Sequence, residues 1–313
     1  MKHKKLKIAG ILIGILVLLA ILSTMGISYY VGWNLTHPKR KPVTKTPAAY
    51  HLTYQNIHFP SRIDHLQIKG WLIPANHATH KMVIVAHGYK DNRSDLRPVL
   101  PLADTLSKTG ISVILFDFRA EGDSPGKVVS VGEYEVRDLL GAVDYAHLHD
   151  YTKVGIIGYS MGASTAILAA GKDTAITAVI ADSPFANLRR YLSSHMPHWT
   201  NLPNFPFTAE ILWEMDVFNG LNVDKVAPNK ILKIWKPRPL LLIAGTADST
   251  IPMSNSQLLY NEVKSEPNTS LWIVKGARHV GAYEVDPHKY LDKVVSFFSR
   301  YLGTPEKKSL VVN

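Results

Sequence analysis

The sequence of 313 residues predicts an α/β protein with a mostly parallel central sheet that is covered by helices on both faces. Three observations lead to this prediction. Short β-branched apolar segments alternate with longer amphipathic segments from about residue 51 onward. The pentapeptide Gly158–Gly162, with a serine at its centre, stands between one such strand and a helix-forming segment. Before the alternating region, Ile8–Ile27 carries no charged residue and is long enough to form a transmembrane helix.

The individual elements follow from apolar periodicity along the chain. An antiparallel pair is predicted to open the sheet at Tyr54–Phe59 and Leu66–Ile73. The strands that follow are short and apolar: Met82–Ala86, Ile111–Phe116, Lys153–Ile157, Ala175–Ala181, Pro239–Ala244 and Leu271–Val274. Helices are predicted between and after them: Ser94–Lys108, Gly132–His149, Ala163–Ala170, Ser254–Lys264 and Glu284–Leu302.

The chain is expected to divide into three parts. Residues 1–30 are predicted to form a cytoplasmic tail and a transmembrane signal-anchor, and residues 31–50 an extended basic linker with several prolines. Residues 51–313 are long enough for a single folded domain.

Positive charge is concentrated near the N-terminus. The net charge is +10, yet no Asp or Glu precedes Asp64. Nine basic residues stand before that position: Lys2, Lys4, Lys5, Lys7, Lys39, Arg40, Lys41, Lys45 and Arg62. The rest of the chain is therefore close to neutral, which argues against a nucleic-acid partner. A basic segment of this kind is typical of a chain beside an anionic membrane surface.

A retained signal-anchor is favoured over a cleaved secretory signal, because the apolar run is long and Thr24-Met25-Gly26 is a poor cleavage site. The lysines before Ile8 favour a cytoplasmic N-terminus, although basic residues also follow the run. We therefore expect a single-pass protein of the cell membrane with its large domain outside the cytoplasm. Since the chain has no cysteine, disulfides and a lipid-anchored lipoprotein are excluded.

Ser160 is the candidate nucleophile, because a strand, Gly-x-Ser-x-Gly and a helix together define a strained turn that exposes a serine. A serine hydroxyl needs a base that is itself oriented by a carboxylate. His279 follows the last predicted strand and is the candidate base, and Asp248 follows the strand before it and is the candidate acid. Asp182, after the strand that follows Ser160, is the alternative acid; its other interpretation is a turn or helix-cap carboxylate.

An oxyanion hole requires backbone N–H donors beside the nucleophile. Met161, directly after Ser160, is predicted to supply one donor at the start of a helix. Tyr89, in the loop after an early strand, is predicted to supply the second, with Gly88 allowing a close approach of the backbone. His87 is expected to orient this loop rather than to act as a second base.

These motifs resemble those of the α/β-hydrolase superfamily. The resemblance lies in His87-Gly88-Tyr89, Asp117–Ser124, the Ser160 turn and the loops of Asp248 and His279, and it covers roughly Tyr54–Leu302. The chain is most similar to bacterial membrane-anchored members of the esterase, monoacylglycerol-lipase and serine-aminopeptidase-like group. Relatives often carry Arg-Gly-His-Gly where this chain has Arg119-Ala120-Glu121-Gly122. The resemblance implies the α/β-hydrolase fold.

A long segment of about residues 184–236 interrupts the alternation of strands and helices and is rich in aromatic residues and prolines. It predicts a helical cap that lies over the active site and supplies an apolar acyl-binding wall. The simpler interpretation is a helical insertion whose aromatic side chains pack against the main domain, and both can hold at once.

The motifs together predict a serine hydrolase that cleaves carboxylic esters of small or medium acyl groups through an acyl-enzyme intermediate. A peptidase, amidase, thioesterase or acyltransferase on the same residues stays open, as does a non-catalytic surface binding protein with this fold. The expected partner is a small-molecule ester or acyl substrate. No cofactor is expected, because water completes the reaction. No metal is expected either, because His195 and His198, like His147 and His149, lack acidic partners at ligand spacing.

Overall fold

The computed structural model describes residues 2–235 and 238–303; Met1, Lys236 at the end of the expected cap, Pro237 and residues 304–313 lie outside that part of the chain. The helices are α1 (Lys2–Thr36), α2 (Val99–Lys108), α3 (Glu135–Leu148), α4 (Met161–Lys172), α5 (Leu188–Thr200), α6 (Phe207–Asn219), α7 (Pro228–Leu232), α8 (Ser254–Val263), α9 (Ala282–Val285) and α10 (Pro287–Leu302). The strands are β1 (Gln55–Pro60), β2 (Gln67–Ile73), β3 (Lys81–Ala86), β4 (Ser112–Phe116), β5 (Lys153–Tyr159), β6 (Ile176–Asp182), β7 (Leu240–Gly245) and β8 (Thr269–Val274).

The strands form one sheet in the order β1-β2-β4-β3-β5-β6-β7-β8. β2 pairs antiparallel with both β1 and β4, and every pairing from β4 to β8 is parallel. Helices α3, α4 and α8 cover one face, and α2 and α10 cover the other. The predicted α/β fold, with a mostly parallel sheet and helices on both faces, is confirmed. Helices α5, α6 and α7 fill the segment between β6 and β7, where the cap was expected.

The burial of each strand explains its sequence pattern. β3, β4 and β7 lie inside the sheet and are buried almost throughout, so they consist of continuous apolar runs. β1 lies at an edge and buries Ile57 and Phe59 while it exposes the residues around them. The edge strand therefore alternates between polar and apolar residues, and the central strands do not.

The predicted helix Ser94–Lys108 starts too early, since α2 begins only at Val99. The side-chain oxygen of Asn92 accepts a hydrogen bond from the Ser94 backbone N–H at 3.0 Å, which fixes a turn in place of a helical start. Pro98 then directly precedes the helix.

The predicted helix 284–302 is divided into α9 and α10. Asp286 has extended backbone angles, and its carboxylate accepts the Lys289 backbone N–H at 3.0 Å. Pro287 occupies the first position of α10, where its missing N–H costs nothing. An N-cap inside an otherwise continuous apolar stripe therefore separates the two helices.

Helix α1 continues to Thr36, so residues 31–36, which were expected to belong to the linker, are helical. Its N-terminal part is exposed and apolar, and the helix is long and apolar enough to cross a membrane. Its end lies in the folded domain, where Ser28 is buried, Leu35 packs against the core and the Thr36 carbonyl accepts the Val129 N–H at 2.8 Å. The end of α1 and the domain are therefore in direct contact.

The segment after α1 lies along the domain. The Arg40 guanidinium donates to the Gly126 carbonyl at 2.8 Å. The Lys41 ammonium pairs with the carboxylates of Asp91, at 3.3 Å, and Asp95. These contacts fix the expected linker close to the loops that follow β3 and β4.

A buried ion pair joins the loop after β4 to α3. The Arg119 guanidinium donates to both carboxylate oxygens of Asp138, at 2.7 and 3.0 Å, and also reaches Asp64 at 2.6 Å and the Ser61 hydroxyl at 3.0 Å. Asp138 is fully buried, and this burial raises the pKa of its carboxyl while Arg119 opposes the shift. The loop is therefore held by a charge pair in which each partner satisfies the other.

We expect Arg119→Met to lower the free energy of unfolding by roughly 3–5 kcal/mol, because Asp138 would be left buried without its counter-charge. Denaturant titration of the full chain in detergent, followed by tryptophan fluorescence, measures this loss. Lys108→Met is the matched control, since it breaks the exposed pair with Asp104 and should change the stability by less than about 1 kcal/mol. Equal stabilities of the two variants would contradict the structural role given to Arg119.

Candidate active site

Ser160 stands on the turn between β5 and α4. Its backbone angles, φ 54° and ψ −115°, are rare for any residue with a side chain. The turn is tight: a Cβ atom on Gly158 would lie 2.2 Å from the Gly162 carbonyl oxygen, and one on Gly162 would lie 2.2 Å from the Ala86 carbonyl oxygen. Both positions therefore need glycine because β3, β5 and α4 approach one another too closely for a side chain.

The structure brings Ser160, His279 and Asp248 together. The Ser160 Oγ lies 2.8 Å from the His279 Nε2, and the His279 Nδ1 lies 2.8 Å from the Asp248 Oδ2. With its proton on Nδ1, His279 donates to the carboxylate and accepts the Ser160 hydroxyl proton at Nε2. The other Asp248 oxygen accepts the backbone N–H groups of Thr250 and Ile251, at 3.0 and 2.8 Å. The carboxylate is thus buried and fixed at both oxygens.

Asp182, the alternative acid, is hydrogen-bonded to other groups. Its carboxylate accepts the Tyr290 hydroxyl at 3.0 Å and the Ser183 hydroxyl at 3.1 Å. The Ser183 Oγ in turn accepts the Val280 backbone N–H at 3.2 Å, next to His279. Burial raises the pKa of Asp182 to about 6, against the opposing effect of the Tyr290 hydrogen bond. Asp182 therefore supports the loop that carries His279.

The two predicted oxyanion donors lie on either side of Ser160. Met161 is the first residue of α4, and Tyr89 lies in the loop after β3. In the part of the chain that the structure describes, neither backbone N–H has a protein acceptor. The two loops are in close contact, since a Cβ atom on Gly88 would lie 3.4 Å from the Ser160 Cβ. Both N–H groups are therefore available to a ligand oxygen beside the hydroxyl.

His87 holds the Tyr89 loop in place. Its Nδ1 donates to the Gly88 carbonyl at 2.7 Å, and its Nε2 accepts the Phe118 N–H at 3.0 Å. Burial lowers the pKa of His87 to about 4, so the imidazole is neutral at neutral pH. Because both ring nitrogens of His87 form hydrogen bonds to the backbone, this residue is placed to orient the Tyr89 loop, as the sequence predicts.

Glu121 also holds this loop, and the sequence identified it only as a departure from the pattern of its relatives. One of its oxygens accepts the Lys90 backbone N–H, directly after Tyr89, and the other lies 3.8 Å from the His87 Nδ1. Burial, reinforced by repulsion from Glu135, raises the pKa of Glu121 well above its usual value. No sequence spacing could reveal this contact, because it joins two loops that are distant along the chain.

An apolar cavity of about 60 Å³ opens beside Ser160. Cap side chains form much of its wall: Phe185, Leu188, Tyr191, Leu192, Met196, Trp199 and Met215. Leu35 and Thr36, at the end of α1, also line it, and the Tyr89 hydroxyl donates to the Leu35 carbonyl at 2.5 Å. The contribution of α1 is not apparent from the sequence, where the prolines and basic residues after Trp33 indicate an extended linker.

One histidine of each pair noted in the sequence is hydrogen-bonded to the backbone carbonyl four residues earlier. The His149 Nδ1 lies 2.8 Å from the Tyr145 carbonyl, and the His195 Nδ1 lies 3.3 Å from the Tyr191 carbonyl. Over residues 2–235 and 238–303, no three His, Asp or Glu side chains are grouped so that they could hold a metal ion.

Two protein-family models match this chain. That of the prolyl oligopeptidase family matches residues 129–305, and that of the X-Pro dipeptidyl-peptidase (S15) family matches residues 39–212. Each match covers more than half of the chain. The fold and these families define a serine hydrolase of the α/β class. The chain belongs to the α/β-hydrolase superfamily. Within it, the chain matches the models of both the prolyl oligopeptidase and the X-Pro dipeptidyl-peptidase (S15) families.

Individual relatives and one solved esterase structure are similar to most of the chain. The chain is 33% identical over 246 residues to the uncharacterized protein YqkD of Bacillus subtilis, a match that covers 76% of this chain and 77% of YqkD. It is 27% identical over 252 residues to the uncharacterized protein YfhR of Escherichia coli K12, covering 78% and 80% of the two chains. Among solved structures, the Pyrococcus furiosus esterase Pf2001 superimposes with a TM-score of 0.72 at 28% identity and covers 86% of this chain and 99% of the esterase.

We expect Gly158→Ala to lower the melting temperature by roughly 2–10 °C, because the added methyl group would overlap the backbone at Gly162 and Ala163. Thermal unfolding of the purified full chain measures the effect. Gly88→Ala is the matched control, since its methyl group would meet the Ser160 Cβ at an ordinary contact distance of 3.4 Å. An unchanged melting temperature for Gly158→Ala would show that the turn is looser than described.

Proposed function

We propose that this protein is a carboxylesterase in which Ser160 is the nucleophile, His279 the general base and Asp248 the acid that orients it. The proposal is carried by one observation, the unbroken chain of two 2.8 Å hydrogen bonds that links the three side chains. The 28% identity with the Pyrococcus furiosus esterase over most of both chains supports the ester as the substrate.

The proposed reaction follows from these positions. The Ser160 Oγ attacks the ester carbonyl while the His279 Nε2 takes its proton. The resulting oxyanion accepts hydrogen bonds from the backbone N–H groups of Met161 and Tyr89. Collapse of this intermediate breaks the bond to the alcohol, which leaves with the proton from His279. Water then gives a proton to His279 and attacks the acyl-enzyme, which releases the carboxylic acid and restores the serine hydroxyl. Asp248 stays ionised and stabilises the imidazolium in both halves of the cycle.

The cavity beside Ser160 favours a short acyl group. A volume of about 60 Å³ holds only a few groups of the size of a water molecule. Its wall consists almost entirely of apolar side chains, so an unsubstituted acyl chain of a few carbons fits it better than an acyl group that carries polar substituents.

Peptide hydrolysis is the second candidate, because the matching family models are those of peptidases. A peptidase that recognises a free N-terminus needs an anionic partner for the ammonium group close to the nucleophile. Among the described residues that line the cavity, none is Asp or Glu. The ester is therefore favoured over an X-Pro peptide as the substrate.

We also propose that α1 is a retained signal-anchor and that the hydrolase domain lies outside the cytoplasm. Support comes from the exposed apolar surface of its N-terminal part and from its buried C-terminal end. The Ser28 hydroxyl donates to Glu210 in the cap at 2.8 Å, so the helix and the domain share specific contacts. The lysines before Ile8 favour the N-terminus on the cytoplasmic side.

We expect a fluorophosphonate probe to label the wild-type protein and not Ser160→Ala, because the probe forms a covalent bond only with an activated serine. Hydrolysis of p-nitrophenyl butyrate should fall at least about 10³-fold in the variant. Gel fluorescence and initial rates measure the two effects. Equal labelling of both proteins, or none of either, would remove the esterase proposal, and faster turnover of X-Pro anilides than of esters would favour the peptidase.

We expect Asp248→Asn to lower kcat by roughly 10³- to 10⁴-fold, because the amide no longer stabilises the imidazolium or fixes its tautomer. Asp182→Asn is the matched variant. It keeps the shape of a carboxylate that binds Tyr290 and Ser183, and it should lower kcat far less. Ester hydrolysis rates of the two folded variants make the comparison, and a larger loss for Asp182→Asn would exchange the roles of the two residues.

A further inference from the structure

Three aromatic side chains of the cap are exposed, and one of them, Phe218, contacts Tyr29 of α1. Phe205 is 88% exposed, Trp213 is 51% exposed and Phe218 is 57% exposed. Phe205 lies just before α6, and the other two belong to that helix, with their rings 6.1 Å apart. We call these three residues the cap aromatic patch. An exposed apolar cluster of this kind on a folded domain marks a surface for binding.

Helix α6 runs parallel to the end of α1. Near its start, Glu210 accepts hydrogen bonds from the hydroxyl groups of Thr24, at 2.9 Å, and Ser28, at 2.8 Å. At its end, the Asn219 amide donates to the Thr36 hydroxyl at 3.4 Å. The beginning of α6 therefore lies beside Thr24, and its end lies beside the last residue of α1.

The parallel direction of α6 and α1 sets the depth of the cap aromatic patch relative to the apolar run of α1. Thr24 belongs to the uncharged run Ile8–Ile27, which is the part of α1 that is apolar enough to lie in a bilayer. Helix α6 begins at Phe207, before Glu210, so its first turn extends from the level of Thr24 toward the N-terminal end of α1. Phe205 leads into that turn and is the most exposed of the three rings.

The aromatic residues of α1 lie beside the C-terminal half of α6. Tyr29 is partly exposed, and its ring contacts Phe218 edge-on at 5.7 Å and Trp33 at 6.3 Å. Tyrosine and tryptophan are enriched where a protein crosses the boundary between lipid and water. The patch therefore continues a belt of interfacial aromatic residues that begins on α1.

We propose that the cap aromatic patch inserts into the surface of the bilayer that α1 spans, with Phe205 deepest and Phe218 nearest the water, so that the cap rests on the membrane. This inference rests on the proposal that α1 is a membrane anchor. Helix α6 also contributes Met215 to the wall of the cavity beside Ser160. One helix thus contacts the lipid with one face and the acyl cavity with another.

The chain has no cysteine, so a single introduced cysteine can carry a fluorophore at one chosen position. Phe205→Cys in the full chain is labelled and reconstituted into phosphatidylcholine vesicles that contain a nitroxide-labelled lipid. Leu16→Cys, exposed on α1, is the control for insertion of the anchor. Leu148→Cys is the matched surface control, since Leu148 is 81% exposed. It ends α3 shortly before β5 begins, whereas Ser160 follows the end of β5, so the two residues lie at opposite ends of that strand.

We expect the lipid quencher to remove most of the fluorescence at positions 205 and 16 and little of it at 148. The same measurement on Phe218→Cys tests the shallower end of the patch, where we expect weaker quenching than at 205 and more than at 148. Quenching at 16 without quenching at 205 or 218 would overturn this inference and leave the anchor in place. No quenching at 16 would overturn the anchor itself. Self-quenching between labels at 205, in vesicles without nitroxide, would show that the patch binds a second copy of the chain.

Discussion

The close contact of β3, β5 and α4 is the constraint on which the candidate site depends. At Gly158 and Gly162 the backbones lie so near one another that no side chain fits between them. The serine that stands between these glycines is thereby forced into a conformation that it would not adopt by itself. The packing of the sheet against one helix supplies the free energy that holds this strained residue, so the position of the hydroxyl is set by the core of the protein.

Buried hydrogen bonds then fix the surrounding loops relative to Ser160. Asp182 holds Ser183, and Ser183 holds the backbone next to His279. On the other side, Glu121 holds the backbone next to Tyr89. Both supporting carboxyls are buried, and burial raises the pKa of each. Asp248 is itself fixed at both oxygens, by His279 and by the backbone N–H groups of Thr250 and Ile251.

Local patterns predicted the sheet, most helices and the residues that meet at Ser160, because each depends on a short run of sequence. Asp248 and His279 could be placed since both follow parallel strands, whose carboxyl ends share one edge of the sheet. The late start of α2 at Val99 and the break between α9 and α10 at Asp286 are not apparent from the sequence. Each depends on one hydrogen bond between a side chain and the backbone. Contacts such as Glu121 with Lys90, or Leu35 with the cavity, join distant parts of the chain and leave no periodic signal.

The hydrogen bond from the Tyr89 hydroxyl to the Leu35 carbonyl links the helix end to the loop beside Ser160. A cut in the segment 37–46 would break the covalent link between the domain and Leu35 and Thr36, which form part of the cavity wall. A cut before Ser28 would leave both residues attached to the domain. The position of a single cleavage therefore decides whether the domain keeps this part of the wall by a covalent link or only by packing and hydrogen bonds.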